Sequence, residues 1–91
     1  MTEKKLIQGK TTSGFKYALD PDRLNNYELL EYMAEVDNNA LLFPKVLKLL
    51  LGEEQKNALT EHLRDDEGII PLEKVNDELM EIFTGNQQTK N

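Results

Sequence analysis

The apolar residues of this chain fall into short runs of different period, separated by polar breaks. The run Leu41 to Gly52, LLFPKVLKLLLG, stands apart. It is apolar nearly all round, and such a helix must be covered by its own domain or by a partner. Upstream, Phe15, Tyr17 and Leu19 alternate with Lys16, Ala18 and Asp20. Period two with aromatic residues predicts a half-buried strand. Lys5 to Gln8 reads as a second short strand, and Lys10 to Gly14, KTTSG, as the loop between them. The two would pair as an antiparallel hairpin. A lone hairpin is marginal in water, so it must lie on helices.

Four helical segments follow. Asp20-Pro21 caps and starts the first, a helix or a short turn and then a helix, to about Val36. Leu29, Leu30, Met33 and Val36 form its expected buried stripe, with Tyr27 and Ala34 at the margin. Asp37-Asn38-Asn39 breaks it. Pro44 costs little in a first turn but about 3 kcal/mol deeper in a helix. The spacing therefore predicts a tight turn over 39–43 and regular helix from Pro44 to Leu51. Gly52 is a natural stop, and Lys45 and Lys48 mark the wet face. A third helix covers Glu53 to Arg64, with Ala58, Leu59, His62 and Leu63 as a thin apolar face. After Asp65 to Gly68, Pro71 opens the last helix. Its stripe is Leu72, Val75, Leu79, Ile82 and Phe83, and Gly85 ends it. The expected class is α+β, mainly α: an N-terminal β-hairpin packed on a small bundle of about four short helices. Residues 1–85 form one small domain, with 86–91 as a disordered tail.

Ninety-one residues suit one modest core. Eleven basic residues against 17 acidic ones, a net charge of −6, make a phosphate backbone an improbable ligand. There is no cysteine, which excludes disulfides, thiolate catalysis and cysteine–zinc sites. The apolar run is far short of the ~20 residues that span a bilayer, and the first residues lack a signal-peptide core. A soluble protein of the cytoplasm, without nucleic-acid or membrane partner, is the expectation.

No cluster spells out a reaction. His62 is the only histidine and sits at helical spacing from Leu59 and Leu63, as a structural residue would. Asp65-Asp66-Glu67-Gly68 lacks the alternation of a calcium loop. Glu53, Glu54 and Glu61 lie on a charged face, not in a site that would separate their proton affinities. Ser13 is followed by no nucleophile motif. No enzyme, metal or cofactor is expected. What remains is apolar surface. Tyrosine is enriched at interfaces. Tyr17 and Tyr27 fit the core edge, whereas Tyr32 lies between glutamates, off the Leu29/Met33 line. The Leu41–Leu51 run is either a wholly covered core helix or one left partly open. Its least obviously covered part is Leu41-Leu42-Phe43. The candidate partner-binding residues are thus Tyr32, Leu41, Leu42 and Phe43.

The chain from Ser13 to Gly68 resembles small proteins encoded among the tail genes of phages and prophages of Gram-positive bacteria. The matching features are Gly14-Phe15 entering a strand, Tyr27-Glu28-Leu29-Leu30-Glu31 on the first helix, and Leu49-Leu50-Leu51-Gly52-Glu53-Glu54-Gln55 across the break. The likeness extends over about residues 13–84. It implies a tail assembly chaperone, a protein that coats the tape measure protein and recruits tail tube subunits in the bacterial host cytoplasm. Such chaperones are absent from the finished virion and often have a longer, frameshifted form. The resemblance brings no catalytic residues. A homo-oligomer is compatible with it. A different class, an acidic inhibitor or DNA mimic acting on a host nucleic-acid enzyme, is the alternative for so acidic a chain.

Overall fold

The computed structural model describes residues 5–86. Strands β1 (Ile7–Lys10) and β2 (Lys16–Leu19) pair antiparallel, with Ile7 opposite Leu19, Gly9 opposite Tyr17 and Lys10 opposite Lys16. The first strand lies two residues later than the pattern predicts. The reason is that Lys10 still pairs and the turn begins only at Thr11. There the Thr11 N–H donates to the Phe15 carbonyl at 2.9 Å, and its Oγ1 accepts from the Phe15 N–H at 3.2 Å. Gly14, at φ 96°, takes the left-handed conformation this return needs. Phe15 and Leu19 are buried and Tyr17 packs on the core, as period two requires.

Two Asx caps divide the next segment. The Asp20 side chain accepts from the Asp22 N–H and starts α1 (Pro21–Leu24). The Asn26 side chain accepts from the Glu28 N–H and starts α2 (Tyr27–Val36). A 3₁₀ turn, Ala40–Leu42, then leads into α3 (Phe43–Leu63). Pro44 falls in the first turn of α3, where its missing N–H costs nothing. Helix α3 is interrupted at Gly52, whose φ 84° and ψ 162° are not helical. The stretches 43–51 and 53–63 are therefore two helical pieces, joined at the break the glycine predicts. Helix α4 (Leu72–Gly85) has Pro71 as its N-cap, one position outside the helix.

Helix α3 is the centre of the molecule and touches α1, α2, α4, β2 and the 3₁₀ turn. Val46 and Leu50 from its first piece and Leu59 from its second are sealed from solvent, with Leu19, Leu29, Val36, Leu79 and Ile82 around them. The α+β, mainly α class is as the pattern predicts. Some assignments need correction. Leu30 and Leu72 of the expected stripes, Ala58 and His62 of the thin apolar face, and Tyr27 at the margin are exposed. On α2 the inward face is Leu29, Tyr32, Met33 and Val36. Leu30 sits about 100° round the helix from Leu29, so only one of the two can enter the core.

Polar side chains fix the hairpin to the helices. Gln55, just past the Gly52 break, donates to the Ala18 carbonyl and accepts from the Ala18 N–H, both at 2.8 Å. It satisfies the open edge of β2 as another strand would. We expect Gln55→Ala to lower stability by about 1–3 kcal/mol, because it leaves both backbone groups without partners. Urea denaturation would measure the loss, and amide exchange at Ala18 should accelerate. Unchanged protection at Ala18 would refute this role. At the far end, Asn86 caps α4 and donates from Nδ2 to the Tyr17 hydroxyl at 3.0 Å and the Ile82 carbonyl at 2.8 Å. Asn86, expected in a loose tail, is thus a tie between α4 and β2. The rest of that expected tail, 87–91, lies outside the described residues.

Candidate partner-binding site

The four residues singled out from the sequence do not share one environment. In the 3₁₀ turn the Asn39 side chain accepts from the Leu41 N–H at 3.2 Å, and the Asn39 carbonyl accepts from the Leu42 N–H at 3.0 Å. A 3₁₀ turn rotates the chain about 120° per residue. Leu41 consequently points to solvent and is 86% exposed. Leu42 packs against the core, and Phe43 is part of it, at 8% exposure. Phe43 is therefore not an uncovered residue, contrary to the expectation. Tyr32 also packs on the core, with Lys45 Nζ 5.5 Å from its ring centre. That cation–π contact fixes the ring and partly covers it. The exposed tyrosine of α2 is Tyr27, at 72%.

Two apolar grooves are open to solvent. One, of about 350 Å³, lies beside the 3₁₀ turn between α2, α3 and α4. Val36, Ala40, Phe43 and Leu72 form its apolar wall, and Asp37, Glu73 and Asn76 its polar rim. Leu41 flanks it in sequence, and Tyr32 is not in its lining. The other, of about 360 Å³, is lined by Leu24, Asn25, Asn26, Tyr27, Leu30 and Phe83. Leu30 there is 53% exposed. Tyr27, Leu30 and Ala34 follow each other at intervals of three and four, so they share the outward face of α2. This second stripe was present in the sequence. It was hidden because Leu29 and Leu30 are adjacent and both read as core.

The polar surface offers contacts of structural kind. Ser13 Oγ lies 3.1 Å from His62 Nε2, a distance that suits a nucleophile and its base. The Ser13 carbonyl is 3.2 Å from the same nitrogen. With its hydrogen on Nε2 the ring donates to that carbonyl, and in the other tautomer Nε2 accepts from the Ser13 hydroxyl. His62 also tilts against Phe15, 5.6 Å between ring centres. The arrangement clamps the hairpin turn to α3, which agrees with the structural role expected of His62. Asp65 uses Oδ1 to accept from the Glu67 and Ile69 N–H groups, both at 2.9 Å, and so orders its loop. Glu61 pairs with Arg64 at 2.6 Å. The hydrogen bond and charge of Arg64 hold its carboxyl below the usual range. This contribution is present above the ordinary carboxylate range and fades as pH falls through the lowered value. Both side chains are open to solvent, so the pair is screened and weak.

A basic cleft of about 470 Å³ is lined by Arg23, Lys45, Lys48, Leu49, Gly52 and Glu53. It is a poor anion site. Arg23 Nη1 is committed to the Lys48 and Leu49 carbonyls, at 3.2 and 3.1 Å, and Lys48 pairs with Glu53 at 3.6 Å. The carbonyl end of a helix also repels negative charge. One buried polar atom stands out. Glu78 is 5% exposed, and its Oε1 has no hydrogen-bond partner. Leaving such an atom unpaired costs about 1–3 kcal/mol. Nothing in the α4 stripe marks Glu78 as special, because its burial comes from long-range packing.

No protein-family model matches the chain, and no curated protein or solved structure matches it significantly. Among the described residues, no helix is long and apolar enough to cross a membrane, and no three acidic or histidine side chains gather to hold a metal ion.

Proposed function

We propose that this protein is a non-enzymatic binding module of the phage or prophage tail assembly chaperone kind. In this reading it works in the bacterial host cytoplasm and holds the tape measure protein while tail tube subunits are recruited. The observation that supports it best is the outward apolar stripe of α2. Tyr27 and Leu30, beside Leu24 and Phe83, form a groove that the described part of the chain leaves uncovered. Such a groove suits an amphipathic helix that inserts anchors spaced three and four residues apart. The groove at Val36, Ala40, Phe43 and Leu72, with Leu41 at its side, is a second and separate surface. Two surfaces suit a helper that meets two partners. A small acidic chaperone adds solubility to the long, aggregation-prone protein it coats.

The acid-mimic reading gains less support. Lys48 pairs with Glu53 and Arg64 with Glu61, so cations interrupt the acidic surface instead of leaving it uniform.

Co-expression with the tape measure protein of the same phage or prophage is the test. The expected result is a complex that survives size-exclusion chromatography and raises the soluble yield of the tape measure protein. Leu30→Asp should weaken that complex at least tenfold, since an exposed core-of-interface leucine becomes a charge. Its own stability should change by no more than about 0.5 kcal/mol, as surface substitutions do. Neither complex nor improved solubility with the unaltered chain would sink the proposal.

A further inference from the structure

The groove beside the 3₁₀ turn joins an apolar wall to a rim that is acidic only. Val36, Ala40, Phe43 and Leu72 form the wall. Asp37, at the end of α2, and Glu73, in the first turn of α4, stand exposed at the rim. Neither carboxylate has an ion pair or a hydrogen bond among the described residues. The cations nearest in sequence face other sites. Lys45 lies over the Tyr32 ring and lines the cleft with Arg23 and Lys48. Lys74 lines a cleft with Thr12 and Ser13, by the hairpin turn. From Leu24 to Pro44 the chain holds no basic residue. The end of α2 sharpens the imbalance. Its last turn carries Glu35 and no cation, and its C-cap is Asp37. The carbonyl end of a helix is the negative end of its dipole, so carboxylates there are unfavourable and a cation is favoured.

We propose that this groove binds a basic amphipathic helix of a protein partner. The helix sets an apolar side chain against Val36, Ala40 and Phe43 and turns lysine or arginine toward Asp37 and Glu73. Residues three and four apart share a helix face, so one segment can present the anchor and its basic neighbours together. Opposite charge at the rim steers encounter and rejects acidic helices. Leu72, 55% exposed, and Leu41, almost wholly exposed next to Ala40, extend the apolar surface beyond the groove. A small molecule seated in about 350 Å³ would leave both in water, whereas a polypeptide laid across the groove covers them. A second copy of this chain answers the charge poorly. A two-fold contact would set Asp37 and Glu73 against their own copies, in a chain of net charge −6. The inference concerns the second groove alone and does not rest on a tape measure protein filling the first.

The test uses the full chain and two synthetic helices. One is the heptad Lys-Leu-Ala-Lys-Leu-Leu-Ala written twice, acetylated and amidated at its ends. The other has every lysine of that peptide replaced by glutamine. In two-dimensional NMR, the lysine peptide should produce saturable shifts at the amides of Val36, Asp37, Leu41 and Glu73. The glutamine peptide should bind at least tenfold more weakly. Asp37→Asn combined with Glu73→Gln should reduce the affinity for the lysine peptide at least fivefold and leave that for the glutamine peptide unchanged. Both residues are exposed, so the double variant keeps the fold. Leu72→Ser should weaken both peptides. Leu30→Asp, in the other groove, should leave the shifts in place, which separates this surface from the one proposed for the tape measure protein. Absent shifts, shifts without a maximum at these amides, or equal binding of the glutamine peptide overturn the proposal. So does dimerisation that moves the same amides without peptide, because a second copy would then be the occupant.

Discussion

Phe43→Ala should lower the stability of this protein by about 3–5 kcal/mol, the usual cost of emptying a buried phenylalanine site. Leu41→Ala, two residues away, should change it by no more than about 0.5 kcal/mol. The contrast follows from the 3₁₀ turn, which turns Leu41 to solvent and Phe43 into the cluster with Val36, Val46 and Leu47. A domain of this size is held by roughly 0.05–0.15 kcal/mol per residue. The phenylalanine ring therefore accounts for a large share of the total. With about 4–8 °C per kcal/mol for small domains, the midpoint should fall by at least about 12 °C. Urea and thermal unfolding of both variants would measure the difference. If Phe43→Ala melts with the unaltered protein, Phe43 is not a core residue and the placement of the turn is wrong. The result also bears on binding. Phe43→Ala is a poor probe of partner contact, because lost binding would report lost folding. Leu41→Asp and Leu30→Asp are the informative substitutions for the two grooves.

This separation marks what a sequence can tell of such a site. Leu41, Leu42 and Phe43 form one apolar string, and reading them as jointly uncovered treats direction as shared. Direction is set by the turn type, and the Asn39 cap that selects it was legible only as a polar break. The same limit explains Leu29 and Leu30, where adjacency hid a choice between two faces. Punctuation was read more securely. Asp20 caps, Pro44 occupies a first turn and Gly52 breaks a helix, because each acts through its own backbone. Gln55, Asn86 and Glu78 were not legible at all. Their roles depend on partners 37 residues away for Gln55 and 69 for Asn86, and on the packing around Glu78. No local period encodes such contacts.

Gly52→Ala should destabilise the protein by about 1–3 kcal/mol from backbone strain alone. The sign makes this a sharp test. Were residue 52 an ordinary position inside a long α3, replacing glycine by alanine would stabilise the helix by about 1 kcal/mol. Instead, φ 84° and ψ 162° place Gly52 where a Cβ is strained. That Cβ would also lie 3.3 Å from Arg23 Nη2. Arg23 cannot retreat freely, because its Nη1 donates to the Lys48 and Leu49 carbonyls, at 3.2 and 3.1 Å. Alanine therefore sets two outcomes against each other. Either the strained break persists, or the helix runs through and swings 53–63 away, which pulls Gln55 from Ala18. Both weaken the fold, and amide exchange at Ala18 separates them: protection persists in the first and is lost in the second. Arg23→Ala alone should cost less, and the double variant should cost less than the sum, because removing the guanidinium relieves the new contact. A Gly52→Ala protein as stable as the original, or more so, would mean that α3 is continuous. The placement of Gln55 on the edge of β2, and with it the docking of the hairpin, would then have to be abandoned.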